Sequence, residues 1–172
     1  MSEVMSAAAT ATPLRDIVVR RRIAASPAAV WRAFTIDSEV MKWWGPEGFS
    51  APSARMDVRA GGTSVVCMRS PDGQDLHSAW HYSRVVPQQA LEYVFNLCQP
   101  DGSKADPTEL GMPPDFPRNV PHVVTFAADG DGCELVVTER GYGPGPFYDL
   151  SKAGLEQCLD KLERALRGGA QP

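Results

Sequence analysis

Two tryptophans, a glycine and a proline in succession, Trp43-Trp44-Gly45-Pro46, split this 172-residue chain into a stretch with helical spacing and a stretch with strand spacing. Proline has no amide hydrogen to continue a helix and disfavours helical geometry in the residue before it. Upstream of the break, Val30, Trp31 and Phe34 recur at helical steps and predict one side of a short helix. Ser26-Pro27 starts that helix, with serine as N-cap and proline at the first helical position. Asp37-Ser38 restarts the pattern, and Val40, Met41 and Trp44 are expected to face inward from a second short helix that Gly45-Pro46 ends. Before both helices, Arg15 to Ala24 alternates and is rich in Ile and Val, which predicts a first strand.

After the break the period becomes two. The alternation predicts strands at 54–59, 63–69, 75–86, 90–98, 120–128 and 133–141. Gly61-Gly62, Pro71-Asp72-Gly73, Pro87 and Asp129-Gly130-Asp131-Gly132 punctuate them, and such short turns favour antiparallel neighbours. Residues 100–121 interrupt the rhythm with repeated prolines and few large apolar residues, as a mobile flap or an ordered cover would. From Phe147 to Arg167 the spacing is helical again. Leu150, Leu155, Leu159, Leu162 and Leu166 form an apolar stripe, and Gly168-Gly169 ends the segment. Residues 1–13 read as a disordered tail, 14–168 as a single domain with an insertion at about 100–121, and 169–172 as a second tail. The order predicts an α+β architecture: a curved antiparallel sheet of about seven strands wrapped around a long C-terminal helix, with two short helices closing one end.

Composition excludes several classes of function. A net charge of −4, with no cluster of Lys and Arg beyond Arg20-Arg21-Arg22, argues against a nucleic-acid partner. The four cysteines, Cys67, Cys98, Cys133 and Cys158, form no C-x-x-C pair and are expected to be buried free thiols, so neither a zinc site nor a redox motif is expected. No run approaches the roughly 20 apolar residues of a membrane span, and the N-terminus lacks the pattern of a secretory signal. A cytoplasmic setting, no membrane partner, and a monomer or homodimer are the expectation. Nucleophile elbows, phosphate-binding glycine loops, zinc-protease motifs and dinucleotide fingerprints are all missing from the sequence, so no cofactor is expected.

The motifs in this order resemble the activator-of-Hsp90-ATPase homologue (AHSA1-like) branch of the START/Bet v 1-like superfamily, also called SRPBCC. The carriers are Ala28, Val30 and Trp31 on the first helix, Trp44-Gly45-Pro46 after the second, and Asp57-Val58-Arg59-Ala60-Gly61-Gly62. Pro71-Asp72-Gly73, Val85-Val86-Pro87 with Leu91, and Gly154-Leu155 followed by Leu159, Leu162 and Glu163 continue the match through to about Leu166. The resemblance implies a helix-grip fold enclosing a cavity between sheet and C-terminal helix. Two departures stand out. Trp80 occupies a position where that family usually has glycine, and Leu155 one where it often has tryptophan.

Several side chains are candidates for the chemistry of such a cavity. Trp31, Trp44, Trp80, Tyr82 and Tyr93, with Phe95, Phe126, Leu155 and Leu159, are the expected lining. Glu139 shares the inward face of its strand with Leu135 and Val137, where burial would let a carboxyl orient or deprotonate a ligand. Glu139, His122 and Tyr93 are therefore the acid/base candidates. His77 and His81 share a strand face about 13 Å apart, too far for a simple shared metal site; His122 is free to approach either one in the sheet, but no metal is expected. Asp57 and Arg59 share a strand face as either a pocket-mouth pair or a local surface ion pair. Three functions stay open: binding of a small, largely apolar molecule, a cyclase- or hydrolase-like enzyme, and a co-chaperone-like protein-interaction module.

Overall fold

The computed structural model of the chain describes residues 13–168, so nearly all of the expected N-terminal tail and residues 169–172 lie outside the described residues. Strand β1 (Arg15–Ile23) leads into helix α1 (Pro27–Thr35) and the one-turn helix α2 (Asp37–Val40). Six strands follow: β2 (Ser50–Arg55), β3 (Thr63–Arg69), β4 (Asp75–Val86), β5 (Ala90–Cys98), β6 (Val120–Asp129) and β7 (Gly132–Tyr142). Helix α3 (Phe147–Gly168) closes the fold. The sheet is antiparallel throughout, in the order β1-β7-β6-β5-β4-β3-β2. Its inner face packs on the helices through Ile17, Val66, Trp80, Leu91, Val124 and Leu135, against Leu159 and Leu162 of α3, all of them buried.

The expected start of α1 is built as predicted, with the Ser26 hydroxyl accepting a hydrogen bond from the Ala29 amide at 3.2 Å. Strands β3, β4 and β5 also have the predicted bounds. The second strand does not. It spans 50–55 rather than 54–59 because the amides beyond it leave the ladder for side chains: Met56 N donates to Asp37 Oδ1 at 2.9 Å, and Asp57 N to Ser64 Oγ at 3.0 Å. Pro52 is tolerated there because β2 is an edge strand and its register slips between Ser50 and Ser53. Asp57 and Arg59 thus sit in a turn, joined by an exposed pair with Arg59 Nε 2.8 Å from Asp57 Oδ1. Gly62 closes that turn, where a Cβ would collide with the Asp57 carbonyl oxygen.

Two apolar residues, Met41 and Leu150, face the other way from their prediction. Met41 is exposed, and Trp43 is buried instead, its indole N–H donating to the Ala33 carbonyl at 2.8 Å. Helix α2 is a single turn, so helical spacing cannot be extended past Val40. Leu150 is 63% exposed, because the first turn of α3 reaches past the core and is held there by Phe147 on Phe116 and Tyr148 on Tyr142. The stripe on α3 instead runs through Leu155, Cys158, Leu159, Leu162 and Leu166.

Segment 100–121 packs on the sheet. It folds across the outer face of the sheet through a bridge between Cys98 and Lys104, with Gly102 lying tight against Val65. A 3-10 turn at Pro107–Leu110 follows, and paired hydrogen bonds between Asn96 and Asn119 return the chain to β6. Among the described residues no helix is long and apolar enough to cross a membrane.

Two polar clamps fix α3. Arg21, alone of the three consecutive arginines on β1, turns inward and meets Asp160 Oδ1 at 2.7 Å, Glu163 Oε1 at 3.5 Å and the Glu156 carbonyl at 3.2 Å. Lys161 reaches into the loop after the Trp-Trp-Gly-Pro break and donates to the carbonyls of Gly45 at 2.9 Å and Phe49 at 3.0 Å. Burial lowers its pKa from the usual lysine value. Replacing it by methionine keeps the stem but leaves those carbonyls without a donor. Lys161→Met is expected to lower stability by about 1–2 kcal/mol in urea unfolding, with the sheet intact by circular dichroism.

Candidate functional site

The inner face of the sheet carries one row of large side chains in register. Tyr82 on β4 pairs with Tyr93 on β5, Tyr93 with His122 on β6, His122 with Glu139 on β7, and Glu139 with Ile17 on β1. Trp80 lies beside this row and stacks on Tyr93, with ring centroids 5.2 Å apart and planes 12° from parallel. From Trp80 the aromatic contacts run through Trp44 and Trp43 to Phe34, and from there through Phe126 to Trp31. The nine hydrophobic residues expected to line a pocket all belong to this interior. Trp80, Tyr82, Tyr93, Phe126 and Leu159 are buried, and Trp31, Trp44, Phe95 and Leu155 are partly buried against them.

Trp80 is fully buried, and its indole nitrogen is a buried donor with no partner. Leaving such a group unpaired costs about 1–3 kcal/mol, so the ring is held there by its packing. Trp80 thereby fills the interior space between Trp44 and Tyr93 with the chain's own aromatic side chain.

At the end of this row lies a polar network. The His122 Nδ1 atom is 3.0 Å from the Val120 carbonyl, which fixes the proton on that nitrogen and turns Nε2 toward Glu139 Oε1 at 3.6 Å. The same carboxyl oxygen accepts a 2.7 Å hydrogen bond from the Tyr142 hydroxyl. All three residues are buried. The His122 ring stacks on Tyr93 at 5.0 Å and Phe95 at 5.3 Å. Burial lowers the His122 pKa, against the opposing pull of Glu139 and the Val120 carbonyl. Burial likewise raises the Tyr93 and Tyr142 phenols well above the ordinary tyrosine range.

Tyr142 reaches Glu139 through a local irregularity. Strict alternation sends residues three apart to opposite faces of a sheet. Opposite β1, however, three residues (Arg15 to Ile17) face four on β7 (Tyr142 to Glu139), and Gly141 takes a left-handed φ of 85°. The extra residue returns Tyr142 to the face of Glu139. The Gly-Tyr pair two residues after Glu139 was the available sequence signal, and alternation alone concealed it.

Tyr142 also lines a surface cleft of about 390 Å³. Its walls come from the end of segment 100–121 (Asp115, Pro117, Arg118), the start of β6 (Val120, Pro121), the end of β7 (Arg140) and Phe147 of α3. Arg118, Arg140 and Phe147 were not among the expected site residues, since nothing in their local spacing joins 118 to 140. A second cleft, of about 360 Å³, lies far off between Ala25, Arg32, Lys42 and Leu166.

The other candidates lie apart. His77 and His81 occupy the outer face of β4, where His81 bonds Thr63, while His122 is on the inner face, so the sheet separates them. Among the described residues no three His, Cys, Asp or Glu side chains come together as metal ligands. The four cysteines are free and buried. Burial pushes the Cys98 and Cys158 thiols up to about 11, far from nucleophilic range at neutral pH.

Comparison with known proteins agrees with this architecture. The family model described as activator of Hsp90 ATPase homolog 1-like protein matches residues 24–167. Similar solved structures include a protein from Nitrosomonas europaea, 19% identical with a TM-score of 0.71 over 90% of this chain and 95% of that one. A protein from Chromobacterium violaceum is 22% identical, TM-score 0.70, over 88% and 96% of the two chains. The AHSA1 protein of Silicibacter pomeroyi is 21% identical, TM-score 0.67, over 89% and 98%. At such identities the likeness speaks to fold alone. No curated protein matches the chain.

Two outcomes follow from the geometry. Trp80→Ala should cost about 3–5 kcal/mol in urea unfolding, and millimolar indole should raise the melting temperature of the variant but not of the parent. A loss below about 1 kcal/mol would mean that Trp80 fills no essential volume. The His122 ring should titrate below the ordinary value of about 6.5 by ¹⁵N NMR. Since the unfolded chain takes up that proton more readily, stability should be full above about pH 6.5 and decline as pH falls toward the lowered folded value. His122→Gln should flatten that dependence.

Proposed function

The chain belongs to the activator of Hsp90 ATPase homolog 1-like family, and we propose that it binds a small, largely apolar molecule at the mouth of the helix grip. The family is consistent with a ligand-binding helix-grip fold. In this chain Trp80 occupies the interior, which favours the mouth over the middle. The observation that carries the reading is the cleft of about 390 Å³ set against the buried Tyr142–Glu139–His122 network. Its size lies in the range of small-molecule sites, and Val120, Pro117, Pro121 and Phe147 supply apolar walls. The network behind it holds the Tyr142 ring in one orientation, so that wall is rigid before a ligand arrives.

A second reading, a hydrolase- or cyclase-like enzyme, draws support from the same network, because a carboxyl stands one hydrogen bond behind a cleft residue and an imidazole lies 3.6 Å beyond that carboxyl. It is the weaker of the two. Tyr142 is the member that lines the cleft, and burial makes its phenol a poorer acid. Glu139→Gln separates the readings: it should leave ligand binding within about threefold, whereas an acid/base enzyme would lose turnover.

The binding reading is tested by titrating 4-phenyl-1-butanol into ¹⁵N-labelled protein. Saturable one-to-one shifts are expected at Val120, Tyr142 and Phe147, and Phe147→Asp should abolish them. Shifts scattered over the surface, or centred on Trp80 and Leu159, would overturn it.

A further inference from the structure

Resting on the mouth-binding reading, we propose that the ligand of this cleft is an organic anion, an apolar body bearing a carboxylate or similar acidic group, and that Arg118 and Arg140 recognise its charge. The inference comes from asking which polar groups of the lining are left to meet a ligand. The Tyr142 hydroxyl is turned inward and given to Glu139 at 2.7 Å, so the ring offers the cleft its apolar edge. The Asn119 side-chain oxygen accepts from Asn96 Nδ2 at 3.0 Å, and the Asn119 backbone N–H donates to Asn96 Oδ1 at 2.8 Å. The Gly141 amide is taken by Asp16 Oδ1 at 3.0 Å. What remains charged in the lining is two arginines against one carboxylate, Asp115.

The two arginines differ in a useful way. Arg118 is oriented: one terminal nitrogen lies 2.9 Å from Asp106 Oδ1, and Asp106 is itself fixed by the Thr108 amide and hydroxyl at 2.9 and 2.7 Å. Those bonds hold the Asp106 carboxyl below the usual carboxylate range, with the Thr108 hydroxyl as the largest cause. Arg118 therefore presents its remaining N–H groups from a fixed stem. Arg140 follows the buried Glu139 on β7, so it projects to the outer face, and no carboxylate lies within ion-pair distance of it among the described residues. On a chain with a net charge of −4, a cleft whose charged lining is mainly cationic runs against the molecule as a whole. Guanidinium groups beside Phe147 and proline walls suit a carboxylate on an apolar stem, because arginine forms forked bonds to the carboxylate.

The test uses a matched pair of probes, 4-phenylbutyrate and 4-phenyl-1-butanol, which share the apolar body and differ in charge. Dissociation constants are read by ¹⁵N chemical-shift titration on the full chain. The carboxylate is expected to bind about tenfold more tightly, with the advantage shrinking in about 0.5 M salt. The double variant R118Q/R140Q, two exposed substitutions that leave the core untouched, should abolish the difference between the two probes. Equal affinities in the parent would overturn the anion assignment while leaving the mouth-binding reading standing. A carboxylate preference that survives in R118Q/R140Q would overturn the role given to the arginines. Failure of both probes to shift Val120, Tyr142 and Phe147 would overturn the two proposals together.

Discussion

A sheet of seven strands curled over a helix must fill the space at its middle, and here the stacked pair of Trp80 and Tyr93 does so. The rest of the interior is arranged around that stack. Trp44 meets the edge of Trp80, Trp43 meets Trp44, and through Phe34 the two short helices are packed against the same aromatic chain. On its other side Tyr93 carries the imidazole of His122. Aromatic pairs of this kind contribute about 0.5–1.5 kcal/mol each beyond the area they bury, and their preferred geometries restrict how the elements can meet. The unpaired indole N–H of Trp80 indicates that volume, not hydrogen bonding, fixes the residue there.

The fold was largely legible in the amino-acid sequence because its elements are delimited by strong local chemistry. Ser26-Pro27, the Gly45-Pro46 break and the glycine and aspartate turns set the boundaries, and α3 has a continuous stripe. The misreadings share one cause, which is that tertiary partners replaced local periodicity. Met56 and Asp57 exchanged the ladder for Asp37 and Ser64, and Leu150 lost its core to an overhanging helix turn occupied by Phe147 and Tyr148.

The candidate site was less legible for a different reason. Glu139 and His122 could be placed on inward faces, and pairing sets them side by side, since each is a cross-strand neighbour of the other. The cleft that they back onto draws on positions 115, 117–121, 140–144 and 147, which no period connects. Arg118 is held by Asp106 across a proline-rich segment, and its location depends on where that segment crosses the sheet. Such a surface is a product of topology, and composition carries no trace of it.

The extra residue at Gly141 has a consequence for where this protein can change. A strand obeys a rule of parity, and a single inserted residue reverses it for everything that follows. Positions up to Glu139 answer to the packed interior, where one methylene too many is felt at once. Beyond the reversal, Gly143 and Pro144 are exposed and lead into a helix turn that overhangs the core. Packed interior and exposed rim thus meet within a few residues of one glycine. A substitution at Gly143 or Pro144 would reshape the cleft wall without touching the aromatic interior.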